Sequence, residues 1–409
     1  MTEIRRLNAE ELPQVHRIWN IVYNNRHDYS KEQKPDPLAD PAEWGWGVFE
    51  NGRMISCMLE IPYLMRFDNS SAPMSGIGGV GTLPEARKGG NIRAVFEKLL
   101  PEAYEKGVIF SNLTPFNHAF YRKFGYELAC ARNEISISTQ EFTNFKNSGR
   151  FTQIFPGDDT AELQSVHSAY IADINHGICR DYWPDNRAWK IFTKDDPYAT
   201  GTFIYLWHDD AGKARAYIKY QDKTSDDEHI MSVREIAFTD RDALYGVLGI
   251  VSGLSAQFQK FQWPMPTFLD PTDFFPGGGL WDINQRIVPR DMTRVINVKK
   301  ALELMRRPAG EGCLPSGEGR YVLEVNDNMI GANNGKFLVE YGPEGTQVSG
   351  TQKEADLICD IPALSQLITG YRTLENALRT KQAGLELKGR KEILDKVFTL
   401  RPQHVTEYF

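Results

Sequence analysis

Much that would announce a function is missing from this sequence. It has no G-x-x-x-x-G-K-[ST] run, which makes a P-loop unexpected, and no G-x-G-x-x-G in the turn directly following the first strand, which disfavours a dinucleotide fold. No serine, histidine and acid share a recognisable nucleophile motif. Cysteine is scarce, with five in 409 residues (Cys57, Cys130, Cys179, Cys313, Cys359) and no C-x-x-C pair. Such a scattered, odd count implies neither a disulfide framework nor a zinc site, and these residues read as small buried apolar groups. An excess of positive charge is lacking too: 47 Lys and Arg stand against 54 Asp and Glu, a net −7. Nucleic acid is therefore not expected as a partner, because phosphate binding calls for a basic face. A mild acidity suits cationic substrates instead. The opening MTEIRRLNAEELP contains no apolar signal-peptide core. The longest apolar-looking stretch, around Gly246–Phe258, falls short of the about 20 residues needed to cross a bilayer. We expect a cytoplasmic protein with no membrane partner and no metal.

What is present is ordinary folded-protein composition, 41% hydrophobic and 25% charged, over a length that suits two or three domains at about 150 residues each. EIRRL at 3–7 reads as a strand. The following AEELPQVHRIWNIVYNN places Leu12, Val15, Ile18, Trp19 and Val22 on one helical face. WGVFE and RMISCMLEIPYLMRF flank Asn51-Gly52, a strong hairpin signal. A strand then runs through a basic, glycine-containing turn into a helix with Ile92, Val95, Phe96, Leu99 and Leu100 at helical spacing. VIFSNL continues as a strand and PFNHAFYRKFG as a short helix. From about residue 150 the same order of elements recurs, but its equivalent turn, FTDRDALYG, lacks the basic glycine-rich segment. PTDFFPGGG at 271–279 reads as a linker. Beyond about 285 the pattern becomes a small α+β domain. The expected architecture is α/β to α+β: two tandem mixed-sheet domains, 1–150 and 151–285, followed by a smaller domain at 286–409.

The most informative segment is Val80 to Arg93. A strand ends there, and the residues from Arg87 to Ile92 offer consecutive backbone N–H groups at a helix start. Helix N-termini attract anions because their first N–H groups lack internal partners and the dipole is positive there. Gly89 and Gly90 remove the Cβ that would hold a diphosphate off the backbone, while Arg87, Lys88 and Arg93 add charge. Taken alone, the segment reads equally as a flexible basic turn.

The arrangement resembles the acetyl-CoA motif of the GNAT acetyltransferase superfamily, an [RQ]-x-x-G turn between a central strand and a helix. Arg87-Lys-Gly-Gly90 matches it, although Ile92 stands where the superfamily has a second glycine or alanine. SNLTPFNHAFYRKFGYEL resembles the next strand and helix, with the Phe-Tyr-x-x-Phe-Gly-Tyr signature at 120–126. A first unit with the motif, a second without it and a sterol-carrier-like third is the layout of the Eis-type (enhanced intracellular survival) N-acetyltransferases. The third contributes TRVINVKKALELM and EADLICDIPALSQLITG, and the chain ends in Phe409.

This resemblance implies roles residue by residue. Backbone groups of Val80, Gly81 and Thr82 would hold the pantetheine arm of acetyl-CoA. Arg87, Lys88, Gly89, Gly90, Asn91, Ile92 and Arg93 would hold its pyrophosphate, and Tyr121 and Arg122 would line its far side. Tyr126 would be the general acid and the carboxylate of Phe409 the general base. It also implies a homo-oligomer, with hexamers frequent among relatives. The implied activity is acetylation of primary amines on polycationic molecules, either small molecules of the aminoglycoside kind or lysine-like amines of peptides. The rival reading is a lipid-binding or scaffold protein that keeps a non-catalytic GNAT shell. Tyr126 reads otherwise as a packed aromatic, His118 as a surface or capping histidine, and Trp44 and Trp46 as either core or a substrate mouth. His208 with Asp209 and Asp210 lies at an apparent hairpin turn and reads as a turn rather than a metal site.

Overall fold

At Asn51-Gly52 both residues have positive φ (50° and 79°), and Glu50 faces Arg53 directly across the two-residue turn. That is the geometry Asn-Gly favours. The computed structural model describes residues 2–24, 38–146, 149–225, 228–275, 283–305 and 318–407. Two compact units are present: Met1–Cys130 with Arg290–Arg401 and Glu407–Phe409, and Ala131–Pro289 with Pro402–Thr406.

The first unit begins with β1 (Thr2–Arg6), β2 (Gly45–Glu50), β3 (Arg53–Phe67) and β4 (Ser70–Thr82) in an antiparallel series. β5 (Phe110–Leu113) then runs parallel to β4. Helix α1 (Leu12–Val22) buries Val15 and Ile18 against Leu7, Phe49, Met54, Cys57 and Leu83. After the short α2 (Pro41–Trp44), helix α3 (Asn91–Glu105) buries the residues its spacing predicts: Ile92, Val95, Phe96, Leu99 and Leu100. They meet Trp46, Val48, Met58, Ile77 and Leu113. Helix α4 (His118–Arg122) is capped by the Asn117 side chain.

The second unit repeats the plan. β6 (Glu127–Ser138) pairs antiparallel with β11 (Lys260–Pro266), which runs parallel to β10 (Glu228–Phe238). Then β9 (Ala214–Ser225), β8 (Thr202–His208) and β7 (Arg150–Gln153) follow antiparallel. Helices α5 (Ala161–Tyr170), α6 (Arg187–Phe192), α7 (Pro197–Thr200) and α8 (Arg241–Gly253) accompany it. The linker expected at 271–279 differs in its first half. Phe275 is buried and packs on Phe142 and Phe145, with ring centroids 4.9 and 5.6 Å away. Its apolar surface is better satisfied in the core than in solvent. Residues 276–282 lie outside those described.

β12 (Ile283–Val295) supplies a strand that sequence order hides. Its last residues pair antiparallel with β5 in the first unit, Met292 opposite Leu113 through Val295 opposite Phe110. The remainder of that unit holds α9 (Val298–Leu304) and a five-stranded sheet. Its strands are β13 (Gly319–Asn326), β14 (Gly335–Gly342), β15 (Gly345–Gly350), β16 (Leu357–Asp360) and β17 (Leu385–Leu387), in the order β15-β14-β13-β16-β17. Every residue of helix α10 (Ile361–Thr369) except Pro362 is buried. Among the described residues no helix is long and apolar enough to cross a membrane.

Candidate active site

β4 and β5 stay paired only from Met74/Phe110 to Ile77/Leu113. β5 ends there, while β4 continues to Thr82 along β3. The continuation is bulged: Cys57 faces Gly81 and Leu59 faces Gly78, so Gly79 and Val80 oppose Met58 together. Bulges re-aim backbone groups and recur beside active sites. Gly79 adopts φ +57°, and a Cβ there would lie 2.7 Å from the Trp19 ring. Trp19 Nε1 donates to the Gly79 carbonyl (2.8 Å) and the Tyr23 hydroxyl to the Val80 carbonyl (3.0 Å). Helix α1 thus pins the bulge, and past Leu113 β4 runs on through Val80, Gly81 and Thr82 without a β5 partner.

The basic turn follows. Arg87, Lys88, Gly89 and Gly90 are exposed; Lys88 and Gly90 both have left-handed φ (66° and 78°). Gly90 is the N-cap of α3, and no side chain caps the helix. The N–H groups of Asn91, Ile92 and Arg93 therefore point outward without intrahelical partners. A Cβ added at Gly90 would meet no protein atom within 4 Å, so the helix start is open on that side. Asn91 braces the turn from its own side chain, Nδ2 donating to the Ala86 carbonyl at 3.1 Å. Arg93 lies over the Phe124 ring, 5.4 Å from its centroid. This arrangement fits a diphosphate.

Tyr126 is wholly buried, its ring packed near Phe96 and Tyr121 with centroids 5.8 and 6.3 Å away. Its hydroxyl is 2.7 Å from Ser111 Oγ, which itself donates to the Ser75 carbonyl (2.9 Å). With the serine proton committed, the tyrosine is the donor. Burial pushes the phenol well above its ordinary value, and the Glu60 charge adds to this. The Ser111 hydrogen bond and the Arg294 charge pull the other way. Ser111 pairs with Ser75, two register positions before the last β4–β5 pair. Glu60, 7% exposed, accepts from Arg6 (2.5 Å), Trp46 Nε1 (3.1 Å) and Ser75 Oγ (3.2 Å). Trp46 is thus core rather than a substrate mouth.

Tyr121 is buried as well, whereas Arg122 is committed to Glu127 through two bonds of 2.7 Å. His118 opens α4 and is half-buried. Phe409 lies outside the described residues. Its approach is nevertheless defined up to Glu407, whose carbonyl accepts from Arg290 Nη2 at 2.6 Å. The neighbouring Asp291 accepts from Thr114 Oγ1 (2.7 Å), just past the end of β5. Burial raises the Cys57 thiol to about 12, so it stays protonated. In the second unit His208 bonds Glu162 at 3.0 Å; no group of three or more metal-ligating side chains occurs among the described residues.

The second unit preserves the sheet but alters the site. β10 is bulged at Arg234, between Val233 and Glu235. Glu235 just beyond is buried and takes bonds of 2.8 and 2.6 Å from Arg180 and another from Tyr217. Burial opposes its ionisation, but the Arg180 charge prevails and holds the carboxyl below the usual range. Asp240 caps α8 by accepting from the Ala243 N–H, and Arg215 donates to it. Against the cost of partial burial, those bonds and one from Thr239 hold Asp240 down to about 2. A fixed carboxylate occupies the place where an anion would have to bind.

Sequence reasoning missed Glu60, Ser75, Ser111 and Arg294. Glu60 carries a legible signal, a charged residue within the largely apolar β3. Arg294 carries none without knowledge of which strand it joins.

Comparison with known proteins agrees with this geometry. Residues 3–129 and 180–295 each match an acetyltransferase (GNAT) domain family, and residues 298–406 match a sterol carrier protein domain family. No curated protein matches the chain. Among solved structures, a probable N-acyltransferase from Enterococcus faecalis superimposes with a TM-score of 0.85 at 20% identity, covering 100% of both chains. A GCN5-related N-acetyltransferase from Anabaena variabilis gives the same figures. Eis1 from Mycobacterium abscessus superimposes with a TM-score of 0.77 at 18% identity, again covering 100% of both chains.

Proposed function

We propose that this chain, with two regions matching acetyltransferase (GNAT) domain families and a third matching a sterol carrier protein domain family, is an acetyl-CoA-dependent enzyme that acetylates primary amines of polycationic substrates. The observation that carries this reading is the pairing of the bulged, splayed β4 with an uncapped, Cβ-free helix start in the first unit. The net charge of −7 favours accumulation of cationic substrates.

Val80, Gly81 and Thr82 line the slot for the pantetheine arm, and the backbone from Arg87 to Arg93 receives the pyrophosphate. Backbone N–H groups at the bulge stabilise charge developing on the thioester oxygen. The amine loses a proton to the carboxylate of Phe409 and attacks the acyl carbon. The new C–N bond forms as the C–S bond breaks, and Tyr126 gives its proton to the departing sulfur. Transfer is direct, so no nucleophilic side chain is required. Thiol release from acetyl-CoA, measured across a panel of polyamines, aminoglycosides and lysine peptides, tests this. The expected result is amine-dependent release. No release with any amine, together with stoichiometric lipid in native mass spectra of the purified protein, would instead establish the lipid-carrier reading.

Only the first unit should bind the cofactor, since Asp240 blocks the equivalent helix start in the second. Calorimetry is expected to give one acetyl-CoA per chain for the parent protein and none for Gly90→Val. That substitution costs about 1–2 kcal/mol of backbone strain at a left-handed position and fills the space the pyrophosphate needs. Two sites per chain, or unchanged affinity in the folded variant, would refute the assignment.

A further inference from the structure

Arg294 is a fully buried cation for which the reaction as described has no use. It stands opposite Ser111 in the β5–β12 pair, and directly opposed residues of an antiparallel pair share one face of the sheet. Ser111 is the residue that holds the Tyr126 hydroxyl. Both oxygens of the buried Asp327 accept from Arg294 Nη2, at 2.8 and 2.9 Å. Asp327 is itself fixed by the N–H groups of Met329 and Ile330 and by Asn333 Nδ2. Arg294 Nε and Nη1 have no hydrogen-bond partner among the described residues. On the other side of Arg294 lies Gly125, which precedes Tyr126. Gly125 has φ +86°, and a Cβ there would come within 2.5 Å of Arg294 Nη1. The backbone at the tyrosine is thus kept bare for the guanidinium.

Buried arginine nitrogens without acceptors are costly, and their placement calls for a reason. Tyr126 supplies one. When it gives its proton to the departing thiolate, the O–H bond breaks, an S–H bond forms, and the negative charge passes from sulfur to the phenolate oxygen. In a site closed to solvent that charge needs a fixed counter-charge. Glu60 lies on the same face but has the wrong sign, and its carboxylate is already met by Arg6, Trp46 and Ser75.

We propose that Arg294, locked by Asp327 of the sterol carrier domain, is the positioning residue that stabilises the phenolate Tyr126 becomes during acetyl transfer. The inference rests on the assignment of Tyr126 as general acid. It gives the third domain a part in the chemistry of the first: Asp327 fixes the arginine that tunes the acid.

The test removes the pair together, Arg294→Met with Asp327→Asn, so that neither charge is left buried alone. The variant is expected to bind acetyl-CoA with parent affinity while kcat falls about tenfold or more, the equivalent of one pKa unit lost in the acid. Replacing Tyr126 in that variant by 3,5-difluorotyrosine, whose phenol is intrinsically more acidic, should restore most of the loss. A purely structural role would not respond to ring fluorination, so a loss that fluorination leaves untouched overturns the proposal, as does an unchanged kcat. If the neutral pair does not fold, Arg294→Lys decides, because it keeps the charge. Its kcat should stay within about threefold of the parent, a smaller change than the loss of one pKa unit, and a folded Lys variant as slow as Tyr126→Phe overturns the charge argument. Tyr126→Phe alone separates the two levels. If it is silent, the acid assignment itself fails; if it is slow while the neutral pair is not, only the role of Arg294 falls.

Discussion

Tyr126→Phe is expected to lower kcat by about 10²–10⁴-fold, the usual cost of losing a positioned general acid, while acetyl-CoA affinity stays within a few-fold of the parent. The phenyl ring keeps its packing against Phe96 and Tyr121. Ser111 Oγ loses only the bond it accepts and still donates to Ser75. The stability cost should therefore stay near that of one hydrogen bond, about 0.5–1.5 kcal/mol. The pH dependence follows from the same burial. Because the folded phenol lies above its ordinary value, its proton is retained below the ordinary pKa of about 10 and is lost only as pH rises through the higher folded value. Tyr126 should thus contribute no alkaline decline of kcat below about pH 10, and any limb near neutrality must come from the amine or the base. An unchanged kcat in the variant would make the ring structural and place the acid elsewhere.

How far this site could be read in advance depended on sequence separation. The strand–turn–helix from Val80 to Arg93 is local, and its turn, its bare helix start and the buried face of α3 all follow from residues within a few turns of one another. The Asn51-Gly52 hairpin is local in the same way. Tyr126 was identifiable from its neighbours at 120–125. Its partner Ser111 was not singled out, because nothing short of the fold says that Ser111 faces the core at that level. β12 lay beyond reach for a stronger reason. Met292 pairs with Leu113 across most of two domains, and periodicity within β12 carries no information about which edge it joins. Arg294, Asp291 and the approach of Glu407 all depend on that one pairing. In the second unit the Asp240 cap is itself a local signal, an aspartate three residues before Ala243 at a helix start. Reading that turn only for missing glycines overlooked the carboxylate that closes it to anions.

Extending the chain by two glycines after Phe409 should lower kcat by about 10²-fold or more, as removal of a general base does, without weakening acetyl-CoA binding. The segment before the terminus is held independently of the last residue. In the second unit the Asn175 N–H donates to the Pro402 carbonyl (2.9 Å) and the His404 N–H to the Asn175 carbonyl (3.1 Å). In the first unit Arg290 holds the carbonyl of Glu407, and the adjacent Asp291 is bonded to Thr114 where β5 stops. The extension leaves every one of these contacts in place and moves only the charge. An α-carboxyl ordinarily titrates at about 3.3–3.7, which makes it a weak base near neutrality. Burial of a carboxyl raises such a value in general, and a nearby cation lowers it. In the proposed reaction the carboxylate both orients the ammonium and takes its proton as the amine attacks. Its effect depends on position more than on basicity, so displacing it by two residues is as damaging as deleting it. Should the extended protein fold, bind acetyl-CoA and turn over at the parent rate, the base is another group and the terminal carboxylate has no part in the reaction.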